Sequence, residues 1–251
     1  MTDVREIFDL YQYWGKGVLN YSGLDIDKAK EAYQNTGVVT LENIIKDDIA
    51  HKHHSFLHDM PDWWWKHTVV YWDNDRVNKW LDNTEENQSA IIQERLKANN
   101  TLLRGVFAYS YKRTVEGDHF DLCKCGLCDF NENFYKELGY LLEYITGKPV
   151  VKGETFSAYY QEGDFNGLHH DQNKGECAFV LHLSKGWRPD YGGVFYSLSD
   201  DGETIETATG PTFNKLVLLN VDKPGGKNHL VTHINVPNFK RFSISGWYES
   251  N

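Results

Sequence analysis

A chain of 251 residues, 40% hydrophobic and 25% charged, is long enough for one large domain with a real core. Its formal net charge of −10 supplies no basic footprint of the kind duplex binding needs, so nucleic acid is not an expected partner. No apolar run approaches the roughly 18–20 residues that span a membrane, the start Met1-Thr2-Asp3-Val4-Arg5-Glu6 has no signal-peptide character, and the four Cys are expected as reduced thiols in the cytoplasm.

Val4, Ile7, Phe8, Tyr11 and Trp14 recur at helical spacing and predict an amphipathic helix, ended by Gly15 and Gly17. Asp25 caps a second helix, Ile26 to Asn35, closed by Gly37. Val38 to Leu41 reads as a strand. A helix from Asp47 to Met60 follows, stopped by Pro61. It places His51, His54 and His58 on one face, read as a solvated polar face. Trp63, Trp64, Trp65 and Trp72 read as strand residues that point both ways, to core and to pocket rim. Ser89 to Asn99 predicts a helix and Leu102 to Tyr111 a strand. His119, Cys123, Cys125 and Cys128 could hold Zn(II), although their spacing is tighter than the usual paired knuckles. Phe134, Leu138, Leu141, Leu142 and Ile145 then mark the clearest helix, capped by Asp129 or Asn131 and closed by Gly147.

From about Val150 the pattern changes. Short apolar strands alternate with Gly, Asp, Asn and Pro turns: Thr155–Tyr160, Cys177–Leu183, Gly193–Leu198, Leu216–Val221, His229–Val236 and Phe242–Tyr248. Helices first and strands last predict one α+β domain whose helices brace a β core.

The chemistry concentrates in this second half. His169 and Asp171 are two residues apart, so on a strand both leave the same face. With a second His they would make a facial triad that leaves coordination positions open, as suits non-heme Fe(II). Near the end, Arg241, Ser243 and Ser245 share one strand face, while Phe242 and Ile244 share the other. An Arg inside a β core needs an anionic partner, and a bound carboxylate fits its planar fork.

Five motifs follow one another in order. They are Tyr160-x-x-Gly163-Asp164-Phe165 leading to His169-x-Asp171; Trp187-x-Pro189-x-x-Gly192-Gly193; Phe213-Asn214-Lys215-Leu216-Val217-Leu218; His229-x-Val231; and Arg241-x-Ser243 with Gly246-Trp247. Over roughly residues 155 to 249 the chain resembles the prolyl-4-hydroxylase-like branch of the Fe(II)/2-oxoglutarate-dependent dioxygenases. The resemblance implies a double-stranded β-helix, a jelly-roll or cupin-like barrel, at about 150–251. The mainly helical region at about 1–149 would then support it and cover the pocket, within a single domain. It implies His169, Asp171 and His229 as iron ligands. It implies Arg241, helped by Ser243, as the clamp for the distal carboxylate of 2-oxoglutarate, and Tyr160 beside the cosubstrate. His233 is the runner-up ligand, and His170 is read as rim. Leu181 or His182 falls where many relatives place a Tyr against the same carboxylate, so that contact is lost or replaced.

The implied activity is hydroxylation of an unactivated C–H bond with Fe(II), 2-oxoglutarate and O2, releasing succinate and CO2. A small amino-acid-like metabolite is the expected substrate, with a prolyl residue of a protein as the alternative. Two readings from other classes are a non-catalytic metal-binding β-barrel and a zinc scaffold built on the Cys cluster. An intact triad together with Arg241 argues against the first.

Overall fold

The computed structural model describes residues 17–114, 126–171, 174–222 and 226–250. The expected helix over residues 4–14 lies outside them, as do His119, Cys123 and Cys125. Asp25 accepts from the Lys28 N–H at 3.0 Å and opens α1 (Ile26–Thr36). Gly37 closes this helix at φ +71°, where a side chain would be strained, and its N–H returns to the Tyr33 carbonyl. Three further helices follow: α2 (Asp47–Asp59), α3 (Gln88–Leu103) and α4 (Gly126–Thr146). None is long and apolar enough to cross a membrane.

Two local expectations need correction. Leu102 belongs to the last turn of α3 and not to a strand, because the helix ends only at Arg104 and Gly105, with the Gly105 N–H on the Leu102 carbonyl. The three consecutive Trp are not a strand either. Asp62–Trp64 is a single 3-10 turn, and only Trp65 is driven fully into the core.

The strands are β1 (Val38–Glu42), β2 (Lys66–Asp73), β3 (Asp75–Asp82), β4 (Tyr109–Arg113), β5 (Val150–Tyr160), β6 (Phe165–His169), β7 (Cys177–His182), β8 (Phe195–Leu198), β9 (Ile205–Thr209), β10 (Lys215–Asn220), β11 (Asn228–Val231) and β12 (Arg241–Ser250). They pair antiparallel in the order β1-β10-β7-β12-β5-β4-β6-β11-β8-β9. β4 is the bridge, since it pairs with both β5 and β6. The result is an α+β fold whose sheet bends into a nearly closed barrel, a double-stranded β-helix. The first half holds the four helices and also supplies strands to the sheet. It contributes β1 to one end of the sheet, β4 to its middle, and the β2–β3 hairpin, which pairs onto β4.

Strand alternation sorts the barrel into two cores. Tyr159, Phe179, Leu181, Leu216, Leu218, Phe242 and Ile244 face outward onto α1, α2 and α4, where Phe56, Phe134, Leu138 and Leu142 meet them. Their neighbours Ala158, Tyr160, Ala178, Val217, Leu219 and Val231 face inward. Full burial of each large apolar side chain is worth about 1.5–3 kcal/mol, so the helical layer holds the barrel wall shut from outside. Asn214, at φ +59°, ties this layer to β10: its side chain donates to the Ile45 carbonyl at 2.7 Å and accepts from the Ile45 N–H at 2.8 Å.

Candidate active site

His169 ends β6 and His229 lies near the start of β11, and the register sets the two opposite one another. Their ring centroids are 4.1 Å apart. Asp171 follows β6 and closes the group: its two carboxylate oxygens lie 3.6 Å from His169 Nε2 and 3.5 Å from His229 Nε2. One ligand atom from each residue lies within 4.8 Å of the others, and no other trio of potential ligands does so among the described residues.

Each group is held in a ligating orientation. His169 Nδ1 bonds the Gly167 carbonyl at 2.8 Å, and His229 Nδ1 bonds the Lys227 carbonyl at 3.0 Å. Donation from both Nδ1–H groups leaves each Nε2 lone pair toward the centre. The Trp247 indole N–H donates to Asp171 Oδ2 at 3.0 Å. Burial pushes the Asp171 carboxyl up, but His229, His169 and the indole bring it net below the usual carboxylate value. Burial, with His169 beside it, pushes His229 down to about 4. A neutral imidazole and an ionised carboxylate are the states that bind a divalent metal.

Deeper in the same cavity lies Arg241, 1% exposed. Its Nε donates to the Gly193 carbonyl at 2.9 Å and its guanidinium lies 4.8 Å from the Tyr160 ring centroid, but Nη2 has no partner. No carboxylate of the described residues pairs with it. Burial pushes it down to about 10, against the ordinary 12.5. Gly193 is required here: at φ +70°, a Cβ would lie 2.9 Å from Arg241 Cδ and 2.5 Å from Ile234 Cδ1. The Trp187 N–H holds the Gly192 carbonyl at 2.8 Å and so fixes the turn. A buried guanidinium with a spare donor fits an incoming carboxylate, and the His-Asp-His group fits iron.

The cavity holds about 600 Å³. Trp72, Arg76, Asn78 and Trp80 of the β2–β3 hairpin form one wall, beside Tyr109, Tyr111 and Arg113 of β4. The register explains the wall, because Trp72 stands opposite Arg76 and Thr68 stands between Trp80 and Tyr111 on one sheet face. Arg113 is buried, bonded to Glu154 at 2.6 Å and stacked on Phe156. The same Glu154 lies 3.9 Å from Lys174. The hairpin and Asn166, whose buried Oδ1 has no partner, were absent from the sequence reading. The continuous β-branched and aromatic run Val69-Val70-Tyr71-Trp72 was the available signal for β2.

The other expectations sort as follows. Ser243 is buried and shares the inward face with Arg241 and Ser245, as expected. His170 lies on the cavity wall. His233 is not in the ligand group: it lies beyond β11, stacks on Phe165 and bonds Asn99 at 2.8 Å. Leu181 faces the helices, and His182 lies on the opposite, inward face. On α2, His51 and His58 are exposed, but His54 reaches the Leu183 carbonyl at 2.7 Å, so that face packs on the barrel and is not wholly solvated. Of the expected zinc ligands only Cys128, in the first turn of α4, is among the described residues.

Residues 155–249 match the family model of the 2OG-Fe(II) oxygenase superfamily. The chain matches none of the curated proteins. Among solved structures it is similar to a Pseudomonas putida prolyl-4-hydroxylase, with TM-score 0.56 and 15% identity over 90% of this chain and 99% of that one. A Trichoplax adhaerens prolyl hydroxylase, solved with a peptide of the hypoxia inducible factor oxygen degradation domain, gives TM-score 0.54 and 16% identity over 90% and 89%. The non-heme alpha ketoglutarate dependent epimerase SnoN from nogalamycin biosynthesis gives 0.56 and 12% over 90% and 82%. At such identities the likeness establishes a shared fold.

Proposed function

Because this chain belongs to the 2OG-Fe(II) oxygenase superfamily through its core at residues 155–249, we propose that it hydroxylates an unactivated C–H bond of a small, amino-acid-like metabolite. The balance is one O2 and one 2-oxoglutarate consumed, with succinate, CO2 and the hydroxylated product released. One observation carries the reading: the His169-Asp171-His229 group and the Arg241 guanidinium, whose Nη2 has no partner, line a single cavity. Iron would be held by His169 Nε2, His229 Nε2 and an Asp171 oxygen. Bound iron and 2-oxoglutarate supply the oxidising equivalents for C–H cleavage.

The residues of the chain bind, orient and exclude. Arg241 takes the distal carboxylate of the cosubstrate, with Ser243 beside it. Trp247 holds Asp171 at a fixed angle. Tyr160, Phe195, Val217 and Leu219 line the inner wall with apolar surface and keep water from the reacting carbon. Substrate selection falls to the mouth. A cavity of about 600 Å³ suits a small molecule. Arg113 and Lys174 share one carboxylate, Glu154, and Arg76 lines the same cavity, so this wall carries a positive excess on a chain of net charge −10. That polarity attracts a substrate carboxylate. A second reading, a prolyl residue within a peptide, is favoured by the exposed indoles of Trp72 and Trp80 on the same wall.

The test starts with Fe(II) and 2-oxoglutarate added to metal-free protein without oxygen. The visible charge-transfer band of the chelate should appear, vanish in His229→Ala, persist in His233→Ala and need more 2-oxoglutarate in Arg241→Ala. Succinate release with free amino acids and with proline peptides then separates the two substrate classes. Folded protein that gives no band would sink the hydroxylase reading.

A further inference from the structure

The irregularity that brings His169 opposite His229 also aims a second side chain into the barrel. His169 pairs with His229 and Asn166 with Val231, so three steps along β6 match two along β11. A bulge of this kind turns residues three apart onto one face, where plain alternation would set them on opposite faces. It is pinned at Gly167, whose N–H donates to the Ala108 carbonyl at 2.8 Å and whose carbonyl meets His169 Nδ1 at 2.8 Å. Asn166 therefore lines the cavity, beside its cross-strand neighbour Tyr109.

The proposed function leaves this carboxamide unused. Its Oδ1 is buried and bonds nothing. The residue as a whole is only half-buried, so the end left open to the cavity is Nδ2, a donor. Its surroundings on the inner face, Val231 and then Phe195, offer no polar atom in exchange. An amide in such a place is costly unless a ligand completes it. The nearby charges indicate which ligand. Arg113 and Lys174 share the carboxylate of Glu154, whereas Arg76 lines the same cavity and makes no ion pair among the described residues. A neutral N–H donor in a wall with a positive excess completes an anion site without adding another charge. Turned about, the same amide would offer its oxygen to an ammonium, which that excess opposes.

We infer that Asn166 Nδ2 donates to the carboxylate of the bound substrate, with Arg76 supplying charge from the cavity wall, and that Asn166 thereby selects acids over neutral molecules. This rests on the amino-acid-like substrate proposed above.

The experiment titrates the standard free L-amino acids, one at a time, into Fe(II)-loaded protein with 2-oxoglutarate and without oxygen, and reads binding by calorimetry. For the amino acid that binds tightest, Asn166→Leu should raise Kd about 10- to 100-fold, the effect of losing one hydrogen bond to a charged acceptor. Asn166→Asp has the same shape but repels an anion, and should weaken binding at least as much. Both variants should keep their affinity for 2-oxoglutarate, read from the visible band, within about twofold, which shows that the site is still folded. Wild-type affinity for the amino acid in Asn166→Leu would mean that the amide does not reach it. Equal or tighter binding in Asn166→Asp would mean that the side chain only fills space or faces an ammonium. Loss of 2-oxoglutarate in both variants would make Asn166 a support of the barrel. Each of these results overturns the inference alone. A wild-type protein that takes up 2-oxoglutarate but no free amino acid overturns the substrate class and the inference together, and one that binds the amino acid but gives no band overturns only the cosubstrate reading.

Discussion

Replacing Trp247 by Phe isolates one hydrogen bond at the proposed metal centre. The indole N–H donates to Asp171 Oδ2 at 3.0 Å, while the ring packs against Phe156 and lies under Lys174. Phe keeps most of that packing and removes the donor. A hydrogen bond to a charged acceptor is worth about 1.5–3 kcal/mol. The Asp171 side chain is 12% exposed, so water can replace part of the lost bond. The net cost should fall near the lower end, about 1.4 kcal/mol, or about tenfold in metal affinity. Competition titration of Co(II) or Fe(II) against a chelator measures it. The melting temperature of the metal-free protein should hardly move, because the bond orients a ligand and packs no core. Metal affinity within twofold of wild type would refute the reasoning. A large fall in metal-free stability would show instead that the indole acts through packing.

Two further perturbations test the scaffold. Lys112 Nζ and Asp164 Oδ2 are 2.8 Å apart with both side chains fully buried. Lys112→Met keeps the volume and leaves Asp164 with Arg95 at 3.5 Å, Ser110 at 3.3 Å and the Gln161 N–H. We expect a loss of about 3 kcal/mol, or about 6–12 °C in Tm, and a loss below about 1 kcal/mol would contradict it. His53 is buried between Phe56 and Phe130, and burial pushes it down to about 3. It stays neutral when folded, whereas the unfolded chain takes up a proton below about 6.5. Its contribution is complete above that value and falls as pH drops from 6.5 toward 3, by about 2 kcal/mol at pH 5. Unfolding of His53→Leu at pH 7 and pH 5 should show that much less acid sensitivity than wild type, and an unchanged slope would exclude the mechanism.

What could be read from the chain alone was local. Asp25 and Gly37 marked the ends of α1 because capping depends on one or two residues. Period-two alternation put Arg241 and Ser243 on the face opposite Phe242 and Ile244, and the sheet keeps that division. His169 and Asp171 were legible as a pair for the same reason. The missing signals were non-local or masked by neighbours. β9 reads Ile205-Glu-Thr-Ala-Thr209 and is exposed over most of its length, so no apolar alternation announces it. The β2–β3 hairpin turns at Asn74 with φ +63°, between charged residues that resemble a loop.

Legible in the residue order were candidate ligand types at strand spacing, an Arg on an inward face and five motifs in succession. Only the tertiary structure decided which histidine joins them. His229 lies opposite His169 in the β11–β6 register, whereas His233 lies past the strand end and is claimed by Phe165 and Asn99. It also decided that a hairpin from the first half walls the cavity. Capping and alternation act over a few residues and are written in the chain. Which edges pair, and which buried groups are left facing one another, is settled when distant strands close on a common core.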